Sequence, residues 1–323
     1  MPAAISALPS LRQLRYLVVL SEKLNFRQAA DALFVTQSTL SAGIKELEAI
    51  LDVQLVERDT RAVRLTALGE QVTARARELL AGAQDLMELA RKSSRPLVGS
   101  MTLGVIPTVA PFLLPRLVPA LRRSYPEVRL YLREDLTERL LDRLRAGQID
   151  AAIVALPWDT AEFTVVDLFR DPFWFVARGD AAESQAAEID LRGLDLGRLV
   201  LLEEGHCLRG HAIAACGRRA AGLTPAIEAT TLHTLVQMVD GGLGVTLLPE
   251  LTLKSGLLAG TGLVARPFTT QVPSRTIALV RRPTSARAED FEHLARFVTE
   301  FVLEADRAAA IEQHRSPKRA AAR

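Results

Sequence analysis

The sequence predicts an α/β protein preceded by a small, mainly helical unit, and three observations carry that prediction. Apolar residues recur at helical spacing through roughly the first ninety residues. From about residue 100, short apolar runs alternate with helical stretches, the pattern of an α/β sheet. Between the two regions, Lys92-Ser93-Ser94-Arg95-Pro96 breaks both periodicities and reads as a linker. The 323 residues suffice for two or three separate cores.

Composition narrows the field. With 49% hydrophobic and 24% charged residues the chain is globular and not disordered. Aromatic residues make up only 5%, which argues against recognition by stacking on bases or sugars. Met1-Pro2-Ala3-Ala4-Ile5-Ser6 lacks a basic stretch followed by an apolar run, so no signal peptide is expected. No apolar run is long enough to span a bilayer, so no membrane partner is expected either. Two cysteines in so long a chain are not a disulfide framework, and a cytoplasmic location follows as the default. Residues 1–95 hold 13 basic and 11 acidic residues, a balance of +2, so any nucleic-acid argument rests on pattern and not on charge.

The first helix is marked by Leu11, Leu14, Leu17 and Val18. Asn25 caps a second, Phe26 to Leu33, whose Ala29-Ala30 pair allows close packing. After a turn at Phe34-Val35, Thr36 caps a third helix, Gln37 to Leu51, with Leu40, Ile44 and Leu47 on one face. Gln37, Ser38, Thr39, Ser41 and Lys45 fall on the other. Two short helices joined by a tight turn, the second opening with small hydrogen-bonding residues, form a helix-turn-helix that reads the major groove of double-stranded DNA. Val53–Arg58 and Ala62–Leu65 then alternate around Asp59-Thr60-Arg61 as a β-hairpin wing, with Arg58 and Arg61 placed near phosphates. Thr66 starts a long helix to about Lys92, whose stripe of Leu68, Val72, Ala76, Leu79, Leu86 and Met87 suits pairing with a second copy. A plain helical bundle fits the first three helices equally; the wing and the long helix favour DNA.

Phe26-Arg27-Gln28-Ala29-Ala30, Val35-Thr36-Gln37-Ser38-Thr39-Leu40-Ser41, Ile44-Lys45-Glu46-Leu47-Glu48 and Val63-Arg64-Leu65-Thr66-Ala67-Leu68-Gly69 resemble the LysR-type transcriptional regulators. The resemblance covers nearly the whole chain. It implies a winged helix-turn-helix that binds DNA through Arg27 and the residues above, a dimerising linker helix, and an effector part of two α/β subdomains related to periplasmic binding proteins. The expected layout is 1–66 for the DNA-binding domain, 67–92 for the linker helix and 93–99 for a hinge. The regulatory domain covers 100–306, with subdomain I at 100–171 and 276–306 and subdomain II at 172–275, before a disordered basic tail, 307–323.

Within the effector half, strands are expected at Met101–Ile106, Val128–Leu132, Ala151–Leu156, Phe173–Ala177, Leu199–Leu202 and Thr276–Val280. Helices are expected from Pro107-Thr108 to Leu121, from Thr137 to Ala146, and from Glu289 to Leu303, and the sheet is expected to be parallel. The chain crosses between subdomains near Asp171 and Arg275, leaving a cleft at strand ends and helix starts. Gly241-Gly242-Leu243-Gly244 lacks a Gly-Lys-Ser/Thr ending and follows a helix, so it reads as a turn and no nucleotide cofactor is expected.

Both cysteines lie in one segment, Cys207 and Cys216, nine residues apart. If the residues between them are helical, the two Cα atoms are roughly 13–14 Å apart. A disulfide needs about 4.4–6.8 Å, so joining them requires the helix to unwind. Three readings remain open here: two buried apolar thiols, a metal site using Cys207, His211 and Cys216 with irregular spacing, or a redox switch. Gly104-Val105-Ile106-Pro107-Thr108-Val109 and Glu203-Glu204-Gly205-His206-Cys207-Leu208-Arg209, with Cys216 beyond, resemble the peroxide-sensing OxyR group of the LysR family. That resemblance implies Cys207 as the cysteine that meets hydrogen peroxide, Cys216 as its disulfide partner, and Thr108, Thr137 and His206 around the peroxide. It further implies activation of peroxide-defence genes through RNA polymerase by a homotetramer built as a dimer of dimers, with no resident metal or cofactor. Chemically, Cys207 needs its thiolate favoured, and His206, Arg209 and the start of the following helix are expected to supply the field. The group commonly carries an acidic residue three positions after the reactive cysteine; this chain has Gly210. A ligand-binding regulator with a small organic effector, and a thiol peroxidase, are the alternatives.

Overall fold

The computed structural model describes residues 8–58, 63–90, 96–216, 227–269 and 272–315. Two compact units are present, one centred on the first 92 residues and one on the remainder.

The first unit begins with helix α1 (Leu11–Lys23), held at its start by a reciprocal capping box between Ser10 and Gln13. Helix α2 (Phe26–Ala32) is capped by Asn25, whose side-chain oxygen accepts from the main-chain N–H groups of Arg27 and Gln28. Helix α3 (Gln37–Leu51) is capped by Thr36. Leu17, Leu20, Ala29, Leu40, Ile44 and Leu47 are fully or almost fully buried where the three meet. Gly43 makes the α1–α3 approach possible, because an added Cβ would stand 2.6 Å from the Tyr16 ring. Strands β1 (Val56–Arg58) and β2 (Val63–Leu65) pair antiparallel as the wing. Glu48 ties it to α3, accepting from the N–H groups of Leu55 and Val56 at 2.9 and 3.1 Å. The wing tip, including Arg61, lies outside the described residues. Helix α4 (Ala67–Ala90) follows.

The second unit is organised on a seven-stranded sheet. In chain order it contains β3 (Gly99–Val105), α5 (Ala110–Ser124), β4 (Val128–Glu134), α6 (Thr137–Arg145), β5 (Ala151–Leu156) and β6 (Thr164–Arg178). After these come β7 (Leu201–Leu202), α7 (Cys207–Ala215), β8 (Glu228–Ala229), α8 (Leu232–Asp240), β9 (Thr246–Pro249) and α9 (Glu250–Lys254). Strands β10 (Leu263–Arg266) and β11 (Ser274–Arg281) and helix α10 (Ala288–Arg315) complete it. Strand order is β10-β6-β11-β5-β3-β4, with β9 also on β6, while β7 and β8 form a separate parallel pair.

The expectation of a parallel sheet is corrected. Only β3 runs parallel to its neighbours β4 and β5; the pairings of β11 with β5 and β6, and of β6 with β9 and β10, are antiparallel. The reason is the double crossing. Strand β6 is 15 residues long and serves both halves of the unit, and β11 returns beside it in the opposite sense. The expected strand Phe173–Ala177 covers only a third of it, near its C-terminal end. The first part of β6, through Pro172, pairs with β11; from Phe173 onward it pairs with β9 and β10. Arg275 and Asp171 stand opposite each other in that register, at the point where the partners change.

A second correction concerns the C-terminus. Helix α10 continues to Arg315, so residues 307–315 are helical and not part of a disordered tail; 316–323 lie outside the described residues. Among the described residues, no helix is long and apolar enough to cross a membrane.

Candidate functional site

The segment after β7 folds as the helix α7, Gly210 included, and Cys207 is its first residue. His206 occupies the N-cap position without donating or accepting a side-chain capping bond. Cys207 is 5% exposed, and Cys216, at the far end of α7, is 9% exposed and belongs to the apolar core of this half. Both are reduced. One helix therefore separates the sulfurs, as the spacing anticipated.

Thr108 lies on the turn between β3 and α5, and Thr137 opens α6; both are buried. Thr108 does not cap α5, since Val109 occupies that position. Its hydroxyl instead accepts from Nη1 of Arg275 at 2.7 Å, and its main-chain oxygen accepts from Nη2 at 3.1 Å. Arg275 is fully buried. Its Nε and Nη2 donate to Oδ2 of Asp171 at 3.1 and 2.9 Å, while Oδ1 of Asp171 accepts from the N–H of Leu251. Every charged atom of this pair that is described has a hydrogen bond, the condition under which a buried ion pair is tolerated. Loss of either partner would strand the other without water.

Burial pushes the Cys207 thiol up from its ordinary value. Opposing this are the charge of Arg275, the Thr137 hydroxyl, and the main-chain N–H groups of Leu208 and Cys207 at the start of α7. Arg209 and His206 do not figure among the groups that favour the thiolate. Arg209 is committed elsewhere, donating to Glu228 at 2.5 Å and to the carbonyl of Leu202 at 3.2 Å, which ties α7 to the β7–β8 pair. His206 is buried and held below the usual histidine range by that burial, with Glu203 pulling the other way.

Arg275 and Asp171 are the buried residues of the candidate site that sequence reasoning passed over, using them only as markers of chain crossing. A signal was present: an arginine heads the apolar run Thr276–Val280 and an aspartate sits in a strand bound for the interior. His211 is the other, noted earlier only as a candidate metal ligand. Among the described residues, no group of three His, Cys, Asp or Glu side chains is placed to hold a metal ion.

Two buried polar atoms make no hydrogen bond of normal geometry among the described residues: Oγ1 of Thr137, whose hydroxyl acts on the Cys207 thiol, and Nδ1 of His211, one turn further along α7. Buried polar groups are nearly always satisfied. A thiol, two hydroxyls and an imidazole around one guanidinium thus suit a small polar molecule that both donates and accepts.

In the first unit, Arg27, Thr36, Gln37, Ser38, Thr39 and Lys45 are exposed, and Ser41 is half-buried. The Thr36 hydroxyl bonds the hydroxyls of Ser38 and Thr39 at 2.9 and 2.8 Å, an ordered polar cluster at the start of α3. Arg58 ends β1.

A DNA-reading helix-turn-helix with a wing, followed by a long helix and a two-lobed α/β unit, defines a class of bacterial regulators. Residues 11–70 match the bacterial regulatory helix-turn-helix protein, lysR family, and residues 94–302 match the LysR substrate binding domain. The chain belongs to the LysR family of DNA-binding transcriptional regulators, which are not enzymes. It is 47% identical over 288 residues to the HTH-type transcriptional regulator EstR of Acinetobacter baylyi, covering 89% of this chain and 95% of that protein. It is 37% identical over 289 residues to the DNA-binding transcriptional dual regulator OxyR of Escherichia coli K12, covering 90% and 94%. Among solved structures, full-length OxyR from Pseudomonas aeruginosa, in a substituted form, superposes with a TM-score of 0.76 at 37% identity, covering 90% of this chain and 95% of that one. A Corynebacterium glutamicum OxyR mutant described as H2O2-bound gives 0.64 at 33% identity, covering 95% and 97%.

Proposed function

We propose that this regulator senses hydrogen peroxide through Cys207 and activates oxidative-stress defence genes. The observation that carries the reading is the Cys207 pocket: a thiol at a helix start, faced by a buried guanidinium and two threonine hydroxyls. In it the Cys207 sulfur attacks one peroxide oxygen, the O–O bond breaks, and the departing hydroxide is protonated to water, leaving a sulfenic acid. The Cys216 thiol then attacks that sulfur and a second water leaves, giving the disulfide. Because α7 holds the cysteines too far apart, this second step requires the helix to unwind, which changes the surface the unit offers to other subunits. His206 borders the pocket and Arg209 anchors α7 until that happens. A homotetramer, built as a dimer of dimers, converts the change into a new spacing of recognition helices on operator DNA, with RNA polymerase as the downstream partner. The test is a promoter-reporter assay with Cys207→Ser: operator binding persists, and peroxide-dependent control is lost. Full peroxide control in that variant overturns the reading.

A second reading is favoured by the greater identity to EstR, whose name is not that of a peroxide activator. In it a small organic ligand occupies the cleft and the thiols are incidental. Slow, unselective oxidation of both cysteines by peroxide, with promoter control intact in Cys207→Ser, selects it.

A further inference from the structure

We propose that His211 is the proton carrier for the reaction of Cys207, taking the thiol proton and returning it to the oxygen that leaves. The inference rests on the peroxide reading and deepens it.

His211 follows Cys207 by one helical turn, so both side chains share a face of α7. Its ring is only 9% exposed. Nε2 lies 3.4 Å from the main-chain oxygen of Pro157, on the loop between β5 and β6. A carbonyl can only accept, so Nε2 carries the hydrogen and Nδ1 keeps a lone pair. That Nδ1 is buried without a partner among the described residues, an unfavourable state for a polar group. The neighbouring Gly210 has no side chain to serve instead.

One charge acts on both groups: the guanidinium of Arg275 lowers the pKa of Cys207 and of His211 alike. The charge that acts on the ring is that of Arg275 from β11, which is itself paired with Asp171 on β6. His206 and Glu203 act on one another just before the helix. With burial and Arg275 both disfavouring the imidazolium, the resting ring is neutral and returns any proton it takes up readily.

The balance is simple. The S–H proton passes to Nδ1 as the sulfur forms its bond to the near peroxide oxygen. The O–O bond breaks with its electron pair on the far oxygen, which receives the proton from Nδ1 and departs as water. Cys207 is oxidised to the sulfenic acid, peroxide is reduced, and His211 ends neutral.

The experiment compares two oxidants of the same thiol in the full-length protein. Peroxide expels hydroxide, which needs a proton; methyl methanethiosulfonate expels a sulfinate, which does not. His211→Gln preserves a donor toward Pro157, and His211→Asn places an amide near Nδ1; neither side chain titrates near neutrality. Both substitutions are expected to slow both reactions through loss of the proton acceptor, and to slow the peroxide reaction at least about tenfold more, because only its leaving group needs the proton back. Equal losses with both reagents, or no loss with peroxide, overturn the role of His211. An unsubstituted Cys207 that meets peroxide no faster than a free cysteine sinks the peroxide reading itself, a distinct result.

Discussion

Arg275 does at the residue scale what Arg209 was expected to do. It lies far from Cys207 in sequence, so no local motif contains it, and only the crossing of β6 and β11 brings it to the sulfur. Cys207, Thr108 and Thr137 were legible because they stand next to turns whose local sequence is distinctive; a residue delivered by long-range strand pairing leaves no such trace. The pocket's titrations predict a stability optimum. Cys207 keeps its proton above its ordinary value of 9.0, so the unfolded chain loses that proton first and stability falls as pH rises through 9. His206 and His211 are depressed below 6.5, so on acidification the unfolded chain takes up protons that the native state refuses, and stability falls as pH drops below 6.5. Denaturant midpoints measured across the range should therefore peak between these limits. His211→Gln should flatten the acid limb; an acid limb unchanged by that substitution would mean that His211 is not depressed.

At the scale of elements, α7 is a weakly secured helix. It has nine residues, no side-chain N-cap and a glycine near its centre. A Cβ at Gly210 would meet nothing within 4 Å, so Gly210→Ala is sterically free. Alanine favours the helix over glycine by about 1 kcal/mol, and if the helix must unwind for the sulfurs to meet, disulfide formation slows by up to about fivefold. Formation of the sulfenic acid, which needs the helix intact, should keep its rate. Rapid-quench mass spectrometry separates the two steps, and an unaltered disulfide rate would argue that unwinding does not limit the switch. Helices α1 to α3 were readable from caps and periodicity because local signals and core packing agree there. Strand β6 was read at a third of its length, because its first half carries Asp167, Arg170 and Asp171 and lacks an apolar run. Helix α10 was cut short for the opposite reason. Ala308, Ala309, Ala310 and the neighbouring Arg307 read as low complexity, although alanine and arginine are strong helix formers.

At the scale of the whole molecule, α4 is the element whose exposed apolar residues suit contact with a second copy. Within one chain it leaves Leu79, Leu86 and Met87 exposed, with Leu86 at 68%. Three large apolar side chains on one helix, each more than half exposed, are what a coiled-coil partner would bury. Leu86→Glu should leave the monomer's fold intact, since that side chain is largely exposed. Across a symmetric dimer the change occurs twice, and removing about 1.5–3 kcal/mol of apolar burial at each copy raises the dissociation constant a hundredfold or more. Because a dimer reads two half-sites together, operator affinity should fall with it even though α3 is untouched. Sedimentation equilibrium and operator titration on the same preparation check both parts. Unchanged association would place the dimer contact elsewhere, and unchanged association with weakened DNA binding would mean that α4 positions the reading heads without holding the copies together.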